Sequence, residues 1–143
     1  MKKVLIIAGL LLVLNAFVTV YRTQWARDLL SYLDNAETIT GEAVWTHGQR
    51  KPLSPEQVES VMDIIRHAKL TDNPEFAGTT PDFQVILTVD GEYVFIDSIE
   101  VQYHYNGENR SVSMKLSQNG RDALQGLLEK TFPYAGNASE LAP

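Results

Sequence analysis

The chain has 143 residues and a net charge of −6, with 12 basic residues, 18 acidic residues and no cysteine. The lack of cysteine excludes disulfide bonds, thiolate metal sites and a lipid-modified cysteine. Three of the basic residues and none of the acids precede residue 23, so residues 23–143 carry a net charge of −9, which argues against nucleic-acid binding because phosphate contacts need clustered Lys and Arg.

The first segment has the features of a membrane anchor. Lys2 and Lys3 precede an uncharged run from Val4 to Val20, which reaches the length of about 17 residues that a spanning helix needs. The predicted anchor residues are Val4, Leu5, Ile6, Ile7, Leu10, Leu11, Leu12, Val13, Leu14, Phe17, Val18 and Val20. The two lysines favour a cytoplasmic N-terminus. Residues 1–24 therefore predict a single-pass protein of the cell membrane with an extracytoplasmic C-terminal domain.

Two alternatives remain for the same segment. A cleaved signal sequence would end its apolar run at Leu14 and be cut after Ala16, but small-x-small cleavage sites do not favour a large residue such as Leu14. The protein would then be secreted. The third alternative is a buried helix of a soluble fold. Tyr21 and Trp25 lie where interfacial aromatic residues are expected, and they favour the retained anchor.

A helical stripe continues beyond the apolar run. Trp25, Leu29 and Leu33 recur at four-residue spacing, which predicts a juxtamembrane helix over residues 25–36. These three residues are interface candidates. The stripe could pack on the following domain, associate with a partner or a second copy, or lie on the membrane surface.

The next segments predict a strand and a helix. Residues 37–47 have β-branched and aromatic residues in loose alternation, which is typical of a strand, and residues 48–53 form a polar connector. Ser54, Pro55 and Gln57 have the arrangement of a capping box with proline at the first helical position. They predict a helix over residues 55–69, and Asn73-Pro74 prevents any continuation.

A strand meander follows a loop at residues 72–82. Strands are predicted at residues 83–89, 92–97, 99–105 and 110–116, with turns at Asp90-Gly91 and at residues 106–109. A last helix is predicted over residues 119–132, capped by Ser117 or Asn119 and ended by Pro133. Residues 134–143 are predicted to be a flexible tail.

This order predicts an α+β fold. The N-terminal transmembrane and juxtamembrane helix is followed by a two-layer extracytoplasmic domain over residues 37–133. We expect a four- or five-stranded, mainly antiparallel sheet with two helices on one face, because amphipathic helices can cover one face of such a sheet.

Short sequence pieces carry a family resemblance: Val61-Met62-Asp63-Ile64-Ile65, Pro81-Asp82-Phe83, and Leu116-Ser117 followed by Leu124, Leu127 and Leu128. With them, residues 54–131 resemble small uncharacterised membrane-anchored or lipoprotein-like extracytoplasmic proteins of Gram-positive bacteria. The resemblance implies a bacterial membrane-attached domain without enzymatic activity, and it supplies no catalytic residue.

Residues that could carry chemistry are not organised into a recognisable site. His47, His67 and His104 lack metal-ligand spacing, and the acids Asp90, Glu92, Asp97 and Glu100 lack a calcium-loop pattern. Nucleophile and nucleotide-binding motifs are also missing from the sequence. We therefore expect no catalytic residue, no metal site, no cofactor and no enzyme activity.

The aromatic residues of the meander are the remaining binding candidates. If the helices cover the face that bears Val94 and Ile96, then Tyr93 and Phe95 lie on the open face. An exposed aromatic face is a plausible platform for a peptide, a glycan or another protein. Alternatively, these rings belong to the core or are covered by the juxtamembrane helix.

The sequence thus predicts a non-enzymatic, membrane-tethered extracytoplasmic domain that acts as an accessory or interaction module. Its expected partners are the lipid bilayer, through the N-terminal helix, and a protein of the envelope. The alternatives are a small-ligand or sensory binding domain and, less favoured, an envelope hydrolase.

Overall fold

The computed structural model describes residues 2–45, 48–71 and 83–133. The predicted α+β fold is confirmed. The elements are α1 (Lys2–Asp34), β1 (Ile39–Trp45), β2 (Arg50–Pro52), α2 (Pro55–His67), β3 (Lys69–Thr71), β4 (Phe83–Val89), β5 (Glu92–Ile96), β6 (Glu100–Tyr105), β7 (Glu108–Lys115) and α3 (Gln118–Thr131). The predicted loop at residues 72–82, the predicted tail at 134–143 and His47 lie outside the described residues.

One antiparallel sheet has the strand order β2-β1-β4-β5-β6-β7-β3. The prediction of four or five strands was too low, because a three-residue strand adds to each edge. β2 lies where a polar connector was predicted. β3 lies where the helix was expected to end, since α2 stops at His67 and Ala68 is extended, with φ −71° and ψ 145°. Short edge strands limit unwanted pairing with other chains.

The predicted capping box at the start of α2 is present. The Ser54 hydroxyl accepts a hydrogen bond from Gln57 N at 3.3 Å, and Gln57 Oε1 accepts one from Ser54 N at 2.8 Å. At α3, Ser117 rather than Asn119 is the cap, and its hydroxyl accepts from Gly120 N at 3.1 Å. Both caps satisfy amide groups that a helix start otherwise leaves unpaired.

Two tight turns set the register of the meander. Asp90 and Gly91 have φ angles of 47° and 89°, and Asn106 and Gly107 have φ angles of 49° and 81°. Positive φ at both central residues is typical of a two-residue hairpin turn that matches the twist of its strands. The second turn is therefore shorter than predicted, because Glu108 already belongs to β7.

The core lies between the helices and one face of the sheet. Side chains of this covered face alternate with those of the opposite face along each strand, and Leu87, Val94 and Val101 are fully buried. Three helices cover the face rather than the predicted two. The additional one is the C-terminal part of α1, whose Leu29 and Leu33 belong to the core cluster with α2 and α3.

Close packing of α2 on β1 depends on Gly41. A Cβ atom at this position would lie 3.0 Å from Leu87 Cδ2, 3.2 Å from Val58 Cγ2 and 3.3 Å from Leu53 Cδ1. These distances are shorter than ordinary van der Waals contacts, so a larger residue would push the helix off the strand.

The N-terminal half of α1 does not contact the domain. Residues 3–21 are all exposed, and the most apolar 18-residue window of the helix has a mean hydropathy of 2.5. Within the described ranges, α1 is the helix that is long and apolar enough to cross a bilayer, although a signal sequence meets the same criterion. It continues without a break from the apolar run to Asp34.

Candidate functional site

Two features of the structure are candidate functional sites. The first is the contact between residues 25–34 of α1 and the domain, here called the joint. The second is the sheet face without helices, here called the helix-free face. The joint has an apolar centre. Leu29 is 0% exposed and Leu33 is 3% exposed, while Trp25 and Tyr32 pack against the same core. The stripe predicted from the sequence is thus used for packing within the chain, and Leu29 and Leu33 are not available to another protein.

Polar contacts hold the end of the joint nearer the apolar run. The Tyr103 hydroxyl donates to the Trp25 carbonyl at 2.7 Å, and Arg110 Nη1 lies 2.5 Å from Asp28 Oδ2. The Arg110 guanidinium also lies 5.4 Å from the centre of the Trp25 ring and 4.9 Å from that of Tyr105, within the range of cation–π attraction. These contacts fix the rotation of α1 as well as its position.

The environment of the joint affects its titratable groups. Burial raises the pKa of Tyr103, so its hydroxyl keeps the proton that it donates. Burial by itself would lower the pKa of Arg110, but hydrogen bonds to Tyr103 and Asp28 outweigh it and raise that pKa. Both residues therefore stay in the protonation state that the joint needs across the physiological pH range.

The end of the joint farther from the apolar run is held at three further points. The Tyr32 hydroxyl donates to the Val89 carbonyl at 3.0 Å, and Arg66 Nε lies 3.2 Å from Asp34 Oδ1. The Asp90 carboxylate accepts hydrogen bonds from the amides of Thr38 at 2.8 Å and Glu37 at 3.0 Å. These amides lower the pKa of Asp90, and the contact fixes the chain between α1 and β1.

The joint begins close to the apolar run. Four residues, 21–24, separate Val20 from Trp25, and at 1.5 Å of rise per residue they span about 6 Å. If Val4 to Val20 cross a bilayer, the domain begins roughly one helical turn from the hydrocarbon region and has a fixed orientation relative to it.

The helix-free face carries the predicted aromatic pair. Tyr93 is 57% exposed, Phe95 is half-buried, and their ring centres are 6.1 Å apart. In the sheet register Phe95 lies between Ile86 of β4 and Gln102 of β6. Tyr103, by contrast, belongs to the covered face and the joint.

A network of polar side chains borders the aromatic pair. Ser111 donates to Glu100, Gln102 Nε2 lies 3.2 Å from Glu100 Oε2, and His104 Nδ1 lies 3.1 Å from Asn109 Oδ1. All of these residues except Glu100 border a shallow cavity of about 510 Å³. It is lined by Glu92, Tyr93, Phe95, Gln102, Tyr103, His104, Asn109, Arg110 and Ser111. The cavity combines aromatic surface with hydrogen-bonding groups.

The structure does not bring the histidines, serines and acids into a catalytic arrangement within the described ranges. Ser111 is bonded to Glu100 and His104 to Asn109, while the His67 ring contacts the Asp63 carbonyl at 2.8 Å. In the same ranges, no three His, Cys, Asp or Glu residues are grouped so that they could hold a metal ion.

Several contacts of the joint could not be found from sequence. Asp28 and Arg110 are 82 residues apart, and Trp25 and Tyr103 are 78 apart. Asp and Arg usually indicate solvent-exposed positions. A partial signal was the alternation that places Tyr103 on the same strand face as Val101, but nothing local identifies its partner in α1.

Comparison with known proteins supports the fold. No protein-family model matches the chain, and no curated protein matches its sequence. A crystal structure described as "Putative Lipoprotein from Clostridium perfringens" is similar, with a TM-score of 0.55 and 13% sequence identity over 76% of this chain and 93% of that one. At this identity the similarity establishes a shared fold.

Proposed function

We propose that the protein is a non-enzymatic, membrane-tethered extracytoplasmic module that binds another protein of the envelope through its helix-free face. The observation that carries this proposal is the continuity of α1, which runs from the apolar segment into the core of the domain without a break. A signal sequence that is cleaved off is not expected to continue as one helix into core residues such as Leu29. Cleavage after Ala16 would leave an apolar stub from Phe17 to Val20 in water.

The joint supports a positioning role. A flexible linker lets a tethered domain sample many heights and orientations, whereas the joint fixes both through Leu29, Tyr103 and Arg110. A domain that begins about 6 Å above the apolar run stays next to the membrane surface, which favours partners at that surface. The proposed partner is therefore a membrane protein or a protein bound close to the membrane.

The helix-free face is the proposed contact surface. Exposed aromatic residues are enriched at protein interfaces because a large apolar ring is desolvated there at low entropic cost. Tyr93 is 57% exposed and stands beside the cavity. Because the domain carries a net charge of −9 over residues 23–143, we expect a partner surface with basic residues.

The experiment has two arms, both with the full chain from its native cell. The intact mass of the membrane-bound protein should include residues 1–24, and a mass that lacks them would contradict the tether. Affinity capture after cross-linking should then recover one specific membrane protein. Capture should be lost in Tyr93→Ala and kept in Gln125→Ala, which changes the exposed surface of α3. Equal capture by both variants would contradict the assignment of the face.

The cavity favours a second candidate, a small-ligand or sensory domain. Its volume of about 510 Å³ lies within the range of ligand pockets, although it is more open than most. A thermal-shift screen of the full chain in micelles would distinguish the two, since a true ligand raises the melting temperature in a saturable way. A saturating shift that Tyr93→Ala removes would support the ligand function over the protein partner.

A further inference from the structure

The contacts of α1 show from which side it meets the sheet. Asp28, nearer the apolar run, pairs with Arg110 of β7, whereas Tyr32, about one turn further along the helix, bonds to Val89 of β4. The helix also contacts β3, the edge strand beyond β7. It therefore runs across the strands, from the β3–β7 edge towards β4, and the apolar run continues from it on the side of that edge.

In the anchored protein, β3 is then the strand nearest the bilayer. The joint begins about 6 Å beyond the apolar run, and the headgroup layer extends roughly 5–8 Å beyond the hydrocarbon. An edge strand beside the start of the joint therefore lies next to the headgroups. β2, at the other edge of the sheet, is six strand spacings away, or about 29 Å.

The β3–β7 edge carries exposed basic side chains. Lys69 of β3 and Lys115 of β7 lie opposite each other in the sheet register, and both are exposed. Arg27 is exposed in the part of α1 that is nearer the apolar run. Basic residues close to a bilayer surface are attracted by anionic lipids, so the charge of this edge suits the surface that it faces.

The negative charge of the domain acts only weakly at this edge. Asp28 and Glu108 lie on the same side, but both are paired with Arg110, and Asp34 is paired with Arg66. Acids on more distant strands are screened, because the Debye length is about 8 Å at physiological ionic strength and two strand spacings already exceed it. The contact with lipid therefore depends on the local charge of the edge.

We propose that the β3–β7 edge rests on the lipid headgroups, with Lys69, Lys115 and Arg27 binding the phosphates of anionic lipids. The proposal rests on the proposed anchor. In this arrangement the sheet stands on its edge, and the helix-free face looks along the membrane rather than away from it. Tyr93, on β5, is three strand spacings from β3, or about 14 Å. The partner of that face is therefore a neighbouring membrane protein whose extracytoplasmic part reaches this height.

Quenching from the lipid surface tests the orientation. A fluorophore is attached to full-length His67→Cys, beside β3, or to Gln49→Cys, beside β2, at positions that are both exposed in a chain without native cysteine. In nanodiscs with a quencher on the lipid headgroups, the label at position 67 should be quenched strongly and that at position 49 little. Equal quenching, or stronger quenching at position 49, would overturn the proposal.

The charge of the lipid tests the phosphate contact. In nanodiscs of equal parts phosphatidylcholine and phosphatidylglycerol, the melting temperature should be several degrees higher than in phosphatidylcholine alone, because a ligand of the folded state stabilises it. The double variant Lys69→Gln/Lys115→Gln should lose most of this difference. Lys130→Gln should keep it, since the neighbouring Thr131 carbonyl contacts Lys51 of the distant strand β2.

The outcomes separate this proposal from the anchor. No lipid dependence in the natural chain, or the same dependence in Lys69→Gln/Lys115→Gln and Lys130→Gln, would overturn the headgroup contact. A mature chain without residues 1–24 would overturn the anchor and the contact together. A chain that keeps residues 1–24 but shows equal quenching at positions 49 and 67 would overturn the contact alone.

Discussion

The Tyr103 hydroxyl donates a hydrogen bond to the Trp25 carbonyl across 2.7 Å, joining strand β6 to the helix that continues from the apolar run. The two residues are 78 positions apart, so the contact depends on the tertiary fold. It lies beside the Arg110–Asp28 pair, whose side chains are 12% and 23% exposed. Folding of the domain and fixation of α1 are therefore coupled.

Tyr103→Phe should weaken the joint without changing its shape. The ring stays in place, but the hydrogen bonds of the hydroxyl to the Trp25 carbonyl and to Arg110 are lost, so we expect a decrease of at least about 1 kcal/mol in the free energy of unfolding. Tyr93→Phe is the matched control, because the Tyr93 ring is exposed and loses no contact within the protein. Urea unfolding of both full-length variants in micelles measures the difference. Equal losses would contradict the contribution of the Tyr103 bond.

Leu29→Ala should have a larger effect, because Leu29 is 0% exposed at the centre of the joint. Truncation of a buried leucine leaves a cavity and typically costs about 2–5 kcal/mol. Ser31→Ala, on the exposed side of the same helix, should stay within about 0.5 kcal/mol of the natural chain. If Leu29→Ala unfolds at the same urea concentration as Ser31→Ala, then α1 does not pack on the domain as described.

The accuracy of the sequence predictions depended on how local each signal was. The start of α2 follows from Ser54, Pro55 and Gln57, which lie within four residues, and the hairpin turn follows from Asp90-Gly91. The edge strands β2 and β3 were missed because three residues such as Arg50-Lys51-Pro52 show no alternation. Their strand conformation comes from pairing with β1 and β7.

The helix-free face and the joint also differed in how much of each could be predicted from local sequence. Alternation along β5 was enough to place Tyr93 and Phe95 on the face opposite Val94. The apolar stripe of the joint was also visible in the sequence. The sequence did not show that this stripe packs on the domain of the same chain rather than on another protein. That packing depends on Arg110 and Tyr103, whose contacts with α1 require the tertiary fold.

Two glycine substitutions should act in opposite directions. Gly41→Val should lower the free energy of unfolding by about 1–3 kcal/mol, since its Cβ atom would meet Leu87 Cδ2 at 3.0 Å. Gly126→Ala should raise it by about 0.4–1 kcal/mol, because a Cβ atom there has no neighbour within 4 Å and alanine favours the helix. Thermal unfolding of both variants tests the prediction, and a stabilising Gly41→Val would contradict the close packing of α2 on β1.

Stability should fall in acid through Asp90. The amide of Thr38 and then that of Glu37 lower its pKa in the folded protein, so its contribution is present above the unfolded value of about 3.9 and is lost as pH falls through the folded pKa. Asp90→Asn keeps a residue that tolerates positive φ but removes this titration. Its free energy of unfolding should therefore decrease less than that of the natural chain between about pH 4.5 and pH 2.

The control for the loss of one negative charge is Asp122→Asn on the exposed surface of α3. At neutral pH it should leave the free energy of unfolding within about 0.5 kcal/mol of that of the natural chain. Asp90→Asn should lower it by more, because a neutral amide is a weaker acceptor for the two backbone amides. Identical acid profiles for Asp90→Asn and the natural chain would contradict the described contact.

The central claim is that the apolar run and the domain form one rigid unit. Spin labels at Thr19→Cys and Gln125→Cys, both at exposed positions in a chain without native cysteine, report the distance between the apolar run and α3. Double electron–electron resonance should be measured on full-length protein in nanodiscs, diluted with unlabelled protein to suppress contacts between copies. A single narrow distance distribution is the predicted result, and a broad or multiple distribution in the folded protein would contradict the claim.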